Sequence, residues 1–183
     1  METDIYHINL KLIRLAIFTF YFCQGLVFSS WASRIPDIKI TLGLGDAAWG
    51  TILLMIPIGQ ACGMAISGLL VSRIGSRKIL PIALIGYVFS LLLVGFSKSE
   101  YALIMSLIVL GFFGNFCNIA VNTQAVALEA MYKKPIMASF HGGCSLAGLA
   151  GASIGLLMAT VHFNPLMHFL IVGFGIGISL LIN

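Results

Sequence analysis

Apolar residues fill six long runs of this chain, at 15–33, 47–71, 79–96, 101–128, 136–161 and 166–182. Short polar connections separate them, at 34–46, 72–78, 97–100, 129–135 and 162–165. A helix needs about 20 apolar residues, and at the least about 17, to cross the hydrocarbon of a bilayer. Each run therefore predicts one span. Asn164 and Pro165 divide the last long stretch, because the residue before a proline is pushed out of the helical region and an unbroken helix there would overshoot a membrane. The predicted fold is all-α: a polytopic membrane protein of six transmembrane helices, forming one unit over residues 1–183. The first run follows Lys11 and Arg14, and Ser30, Trp31 and Ala32 weakly resemble a signal-peptide cleavage site. At about 19 residues it exceeds the 7–15 of a signal core, which predicts a retained helix.

Composition agrees with the pattern. Hydrophobic residues make up 60% of the 183 and charged residues 9%, with mean hydropathy +1.06. Soluble domains carry about 25% charged residues, so a water-soluble globule is excluded. The net charge of +4 does not predict a nucleic-acid partner, because the cations sit in short loops between apolar runs. With the N-terminus inside, Lys11, Arg14, Arg73, Arg77, Lys78, Lys133 and Lys134 fall on the inner side, and Arg34, Lys39 and Lys98 on the outer. That bias predicts a cytoplasmic N-terminus, with the lipid bilayer as surroundings. Trp31 and Trp49 flank the first outer loop, where interfacial aromatics belong. Cys23, Cys62, Cys117 and Cys144 all lie inside apolar runs at no zinc or redox spacing, so no metal and no cofactor is predicted.

Polar residues inside the spans carry the candidate chemistry. Asn115, Asn118 and Asn122 stand at i, i+3 and i+7, on one face of the fourth span. Amides facing lipid would be costly, so this stripe is predicted to face protein or a water-filled cavity. Tyr21, Gln24, Phe28 and Trp31 share a face of the first span, with Gln24 at mid-membrane and Gln60 of the second span a weaker candidate. Amides donate and accept hydrogen bonds without charge, which suits a small polar, neutral polyhydroxyl solute, and an aromatic face can stack a sugar ring. Glu129 and His141 flank one inner loop, as a candidate proton-carrying or gating pair or a structural tie between the fourth and fifth spans. The pairs Gly59/Gly63, Gly151/Gly155 and Gly173/Gly177 have small-xxx-small spacing for close helix packing, and Pro57 and Pro81 are candidate kinks.

The basic turn between the second and third spans reads Gly68, Leu70, Ser72, Arg73, Gly75, Ser76, Arg77 and Lys78, with one residue between each of the first three. Three cations so close together must reach water. Spacing, charge and position together resemble the loop between helices 2 and 3 of the major facilitator superfamily. Ser72 stands where that family has an acidic residue and Ser76 replaces a basic one, so a salt-bridge gate is not expected at Ser72, although its hydroxyl is a candidate helix N-cap. Ser33, Arg34, Ile35 and Pro36, then Leu42 and Leu44, the segment Asn122 to Glu129, and Ser139, Phe140 and His141 resemble a bacterial sugar-permease-like branch related to fucose permeases.

The resemblance covers nearly the whole chain but only the amino-terminal half of that twelve-span family. It implies three-plus-three inverted repeats, a gating loop at Gly68–Lys78, and a central cavity lined by the first and fourth spans, with Tyr21, Gln24, Asn115, Asn118 and Asn122 as its substrate-facing residues. The implied function is the N-terminal half of a secondary transporter working by alternating access, not an enzyme, with no catalytic residues. Its expected partner is a missing C-terminal six-helix half or a second copy, and the end at Asn183 falls where an inter-half linker is expected to start. The buried acidic residue of proton-coupled fucose permeases is missing from the first span, and the antiporter proline is missing from Gly148 to Gly151. Two weaker readings are a rhomboid-like intramembrane serine protease, from Gly151, Ala152, Ser153 and His168, and a truncated, non-transporting interaction protein.

Overall fold

The computed structural model describes residues 9–182; Asn183 lies outside the described residues. Eight helices follow in order: α1 (Leu10–Ser33), α2 (Ile35–Thr41), α3 (Asp46–Leu53), α4 (Met55–Ile74), α5 (Ser76–Phe96), α6 (Glu100–Tyr132), α7 (Met137–Thr160) and α8 (Pro165–Ile182). Helices α3 and α4 together form one span, so six helices among the described residues are long and apolar enough to cross a membrane. The chain is a multi-pass membrane protein.

Local chemistry sets where these helices begin and end. Helix α1 starts at Leu10, ahead of its apolar run, because the Asn9 side-chain oxygen accepts from the backbone N–H of Lys11 (3.1 Å) and Leu12 (3.3 Å). Helix α6 has 33 residues, from its Ser99 cap to a left-handed Lys133. At 1.5 Å per residue that is about 50 Å, well beyond the ~30 Å of hydrocarbon, so α6 runs past the membrane core or tilts strongly within it. The second span breaks at Leu54, three residues before Pro57, which has no N–H to offer the carbonyl one turn earlier.

The basic turn is shorter than expected. Helix α4 continues through Ser72 and Arg73 to Ile74, and α5 begins at Ser76. The reversal rests on Gly75, whose φ of +93° is a conformation that a side chain would strain. Ser72 is not an N-cap: it lies inside α4 and donates back to the Leu69 carbonyl at 2.9 Å. Arg73, Arg77 and Lys78 are exposed and make no ion pair among the described residues.

Packing joins α1 to α7, α4 to α6 and α5 to α6, with α8 against α5. The α4–α6 crossing is backbone against backbone. A Cβ on Gly59 would overlap the Ile108 carbonyl, one on Gly63 would lie 2.7 Å from the Phe112 carbonyl oxygen, and one on Gly111 would overlap the Ile56 carbonyl. The α1–α7 crossing instead seats side chains on glycine, with Ser29 pressing in at Gly151 and Ser33 at Gly155. Gly177 differs, because nothing lies within 4 Å of its added Cβ. Trp31 and Trp49, expected at an interface, are buried against each other with ring centroids 6.3 Å apart, because α3 folds back beside the end of α1. Ile82, Ile85, Phe89 and Phe96 form an exposed apolar stripe down α5.

These crossings predict that Gly59→Leu or Gly111→Leu destabilises the bundle by about 1–3 kcal/mol or more, as overpacking against an unyielding backbone does. Gly177→Leu is expected to leave stability unchanged. Thermal unfolding of the purified variants in detergent reads the difference.

Candidate functional site

A half-open cavity of about 440 Å³ lies among five of the helices. Helix α1 contributes Gln24, Gly25, Phe28 and Ser29; α6 contributes Leu110, Gly111, Gly114, Asn115 and Asn118. Ile56 and Gln60 of α4, Tyr87 of α5, and Cys144 and Gly148 of α7 complete the wall. The volume falls in the range of small-molecule sites, roughly 300–1,000 Å³. No lining side chain is Asp, Glu, Lys, Arg or His. A second groove, lined by Asn118, Ile119, Asn122, Thr123 and Val126, shares Asn118 with the first.

Helical spacing brings the amides together. Tyr21 and Gln24 are one turn apart on α1; Asn118 and Asn122 are one turn apart on α6. The buried Tyr21 hydroxyl donates to Asn122 Oδ1 at 2.7 Å. Asn122 Nδ2 donates to both the backbone oxygen and the side-chain Oδ1 of Asn118, each at 2.8 Å. Gln24 Nε2 reaches Asn118 Oδ1 at a long 3.5 Å, and Gln24 Oε1 is buried with no partner. Asn115 Oδ1 accepts from the Ser67 hydroxyl of α4, also at 3.5 Å. The Tyr21 ring is stacked on Phe140 (centroids 5.4 Å) and meets His141 edge-on (5.6 Å), both from α7. Tyr21 therefore stands behind the cavity wall as a tie between α1, α6 and α7, and Asn122 faces the second groove.

Glu129 and His141 do different jobs. The Glu129 carboxylate accepts from the backbone N–H of Ile136 (2.7 Å) and Met137 (2.8 Å), capping α7 from the end of α6. A carboxylate is favoured there by the unpaired N–H groups and the positive end of the helix dipole. His141 is exposed and has the Tyr21 ring as its contact. Ser153 is exposed on α7, and neither ring nitrogen of the buried His168 has a hydrogen-bond partner, so no Ser–His pair forms. No group of three His, Cys, Asp or Glu converges among the described residues.

Two residues gain importance that the sequence did not reveal. Tyr87 lines the cavity from the third span. Arg34 is 1% exposed at the opposite end from the basic turn. Its guanidinium donates to the carbonyls of Phe163 and, at 3.5 Å, Gly155, and pairs with Asp37 at 3.0 Å. It thereby ties α1 and α2 to α7 and the loop before α8. The available signal was the i, i+3 spacing of Arg34 and Asp37.

Comparison with known proteins places this bundle. No protein-family model matches the chain. A Yersinia pestis protein named as an uncharacterized MFS-type transporter is 31% identical over 146 residues, covering 80% of this chain and 38% of that protein. The chain belongs to the major facilitator superfamily. The uncharacterized transporter y4wD of Sinorhizobium fredii is 28% identical over 158 residues (86% of the chain, 42% of that protein), and the membrane protein MosC of Rhizobium meliloti is 30% identical over 141 residues (77% and 35%). The chain thus spans about two fifths of the length of these curated relatives, and the six membrane-length helices among its described residues fit half of a major facilitator fold.

The Glu129 cap generates a prediction. Glu129→Ala leaves two N–H groups of the α6–α7 connection without their acceptor and is expected to cost about 1–3 kcal/mol of stability. His141→Ala is expected to cost much less. Thermal unfolding in detergent separates a cap from a carboxylate–imidazole pair, in which both variants would lose similar amounts.

Proposed function

We propose that this six-helix unit is the amino-terminal half of a secondary transporter for a small neutral polar solute, in the sugar-permease-like branch. The observation that carries the proposal is the uncharged, amide-bearing cavity of about 440 Å³ between α1 and α6. A cation or carboxylate entering it would shed water without gaining a counter-charge from this wall. Hydroxyl groups find both donors and acceptors there, and Phe28 and Tyr87 offer ring faces.

A half-open cavity needs a second wall. Relatives more than twice as long support a second six-helix unit as that wall, with solute held at their junction near the midplane. Alternating access then consists of rocking one bundle against the other. At the basic end, the Gly75 turn and the Glu129 cap hold neighbouring spans together; at the other end the buried Arg34 does so. Each end of the bundle then moves as a block. The Lys and Arg bias supports a cytoplasmic location for the basic end, and the bacterial relatives support an inner membrane as its setting.

Uptake into proteoliposomes tests the proposal. A full-length protein carrying this segment is expected to accumulate or equilibrate a labelled neutral hexose or polyol, and the six-helix unit alone is expected to show none. Uptake restricted to charged solutes by the full-length protein would refute the neutral-solute assignment.

A further inference from the structure

The amide network has a fixed direction, set by one backbone atom. A main-chain carbonyl only accepts, so the Asn122 atom 2.8 Å from the Asn118 backbone oxygen must be Nδ2. The other end of that amide, facing Tyr21 at 2.7 Å, must then be Oδ1, and the Tyr21 hydroxyl must be the donor. The Asn118 atom receiving the second Asn122 N–H at 2.8 Å must in turn be Oδ1, which leaves Asn118 Nδ2 as the free end of that side chain. Gln24 presents a donor toward the same Oδ1, so its Oε1 points elsewhere, and it is buried without a partner.

The network thus divides into two parts. Tyr21, Asn122 and Asn118 are joined by short bonds and act as a scaffold. Gln24 is loosely held, with one bond of 3.5 Å and an acceptor that has nothing to accept. A buried acceptor without a donor is costly, and a ligand that brings the donor recovers that cost on binding.

Resting on the reading of the cavity as a solute site, we infer that Gln24 Oε1 and Asn118 Nδ2 form a polarised pair that selects adjacent neutral hydroxyls, one donating to Gln24 and its neighbour accepting from Asn118. Gln24 already lines the cavity, and binding requires its amide to turn so that the buried oxygen meets the solute there. A carboxylate has no proton for Gln24, and an ammonium group has no lone pair for Asn118, so each satisfies only one member of the pair, whereas adjacent hydroxyls satisfy both. Tyr21 is a positioning residue, because removing its hydroxyl releases Asn122 and with it the orientation of Asn118.

The test is equilibrium binding of a radiolabelled hexose panel, with each single-deoxy analogue, to the intact protein in nanodiscs. Two single-deoxy analogues, lacking adjacent hydroxyls, are each expected to bind about tenfold more weakly than their parent, the loss expected for a hydrogen bond to a site left unpaired, and one of them is the analogue that lacks the hydroxyl donating to Gln24. Gln24→Leu is expected to bind parent and that analogue equally, while Gln24→Glu, which keeps an acceptor, retains the discrimination. Asn118→Leu is expected to abolish the loss at the neighbouring hydroxyl instead. Tyr21→Phe is expected to weaken the parent severalfold and to blunt the Asn118-dependent loss, which a purely structural role would leave intact. Equal binding of every deoxy analogue to the unaltered protein overturns the inference, as does an unchanged deoxy loss in Gln24→Leu, and in both cases the neutral-solute reading stands. Failure of every hexose to bind overturns both.

Discussion

Hydrocarbon offers an amide nothing to bond with, and the rest of this structure follows from how the chain meets that constraint. Three asparagines and a glutamine at membrane depth must find partners in protein or in water. The chain supplies part of what they need internally, through the Tyr21 hydroxyl and the backbone of α6. It leaves Gln24 Oε1 buried and without a partner. The arrangement is affordable because α1 and α6 are locked from behind: glycines bring α6 onto α4, and Ser29 and Ser33 nest α7 against α1. Close crossings of this kind fix helix positions to within a side chain's width, the precision that the 2.7 Å hydrogen bond from Tyr21 of α1 to Asn122 of α6 requires.

The two ends of the bundle are tied by unlike chemistry. At the basic end a glycine reversal joins α4 to α5, and a carboxylate caps the helix that follows it. At the opposite end an arginine withdrawn from water binds two carbonyls and an aspartate. A buried guanidinium stripped of these partners would be strongly unfavourable, so Arg34 holds its surroundings in one arrangement. The cavity lies between these ties.

The apolar runs made six spans legible from sequence, because membrane thickness sets their length. Helix ends were less so, since they depend on single caps: the Asn9 side chain extends α1, and Gly75 shrinks an apparent loop to one residue. The asparagine spacing placed three amides on one face, and the structure has Asn115 and Asn118 lining the cavity. The partner of Glu129 was not legible. Proximity in sequence favoured His141, but the loop folds so that two backbone N–H groups reach the carboxylate first. Arg34 read as one more loop cation, because burial of a charge follows from carbonyls far along the chain. Gly177 shares the spacing of the packing glycines without their contacts, since spacing says nothing about which helix lies opposite.

The central claim is that the amide face of α6 meets water and not lipid. Single cysteines introduced along α6 and α5, with the four native cysteines replaced, and a membrane-impermeant maleimide on intact membranes test it directly, since the thiolate that reacts forms only where water reaches. Asn118→Cys is predicted to label readily and Asn115→Cys and Asn122→Cys detectably, while Phe89→Cys on the apolar stripe of α5 stays unreacted. Silence at Asn118→Cys, or labelling at Phe89→Cys equal to it, would contradict the account.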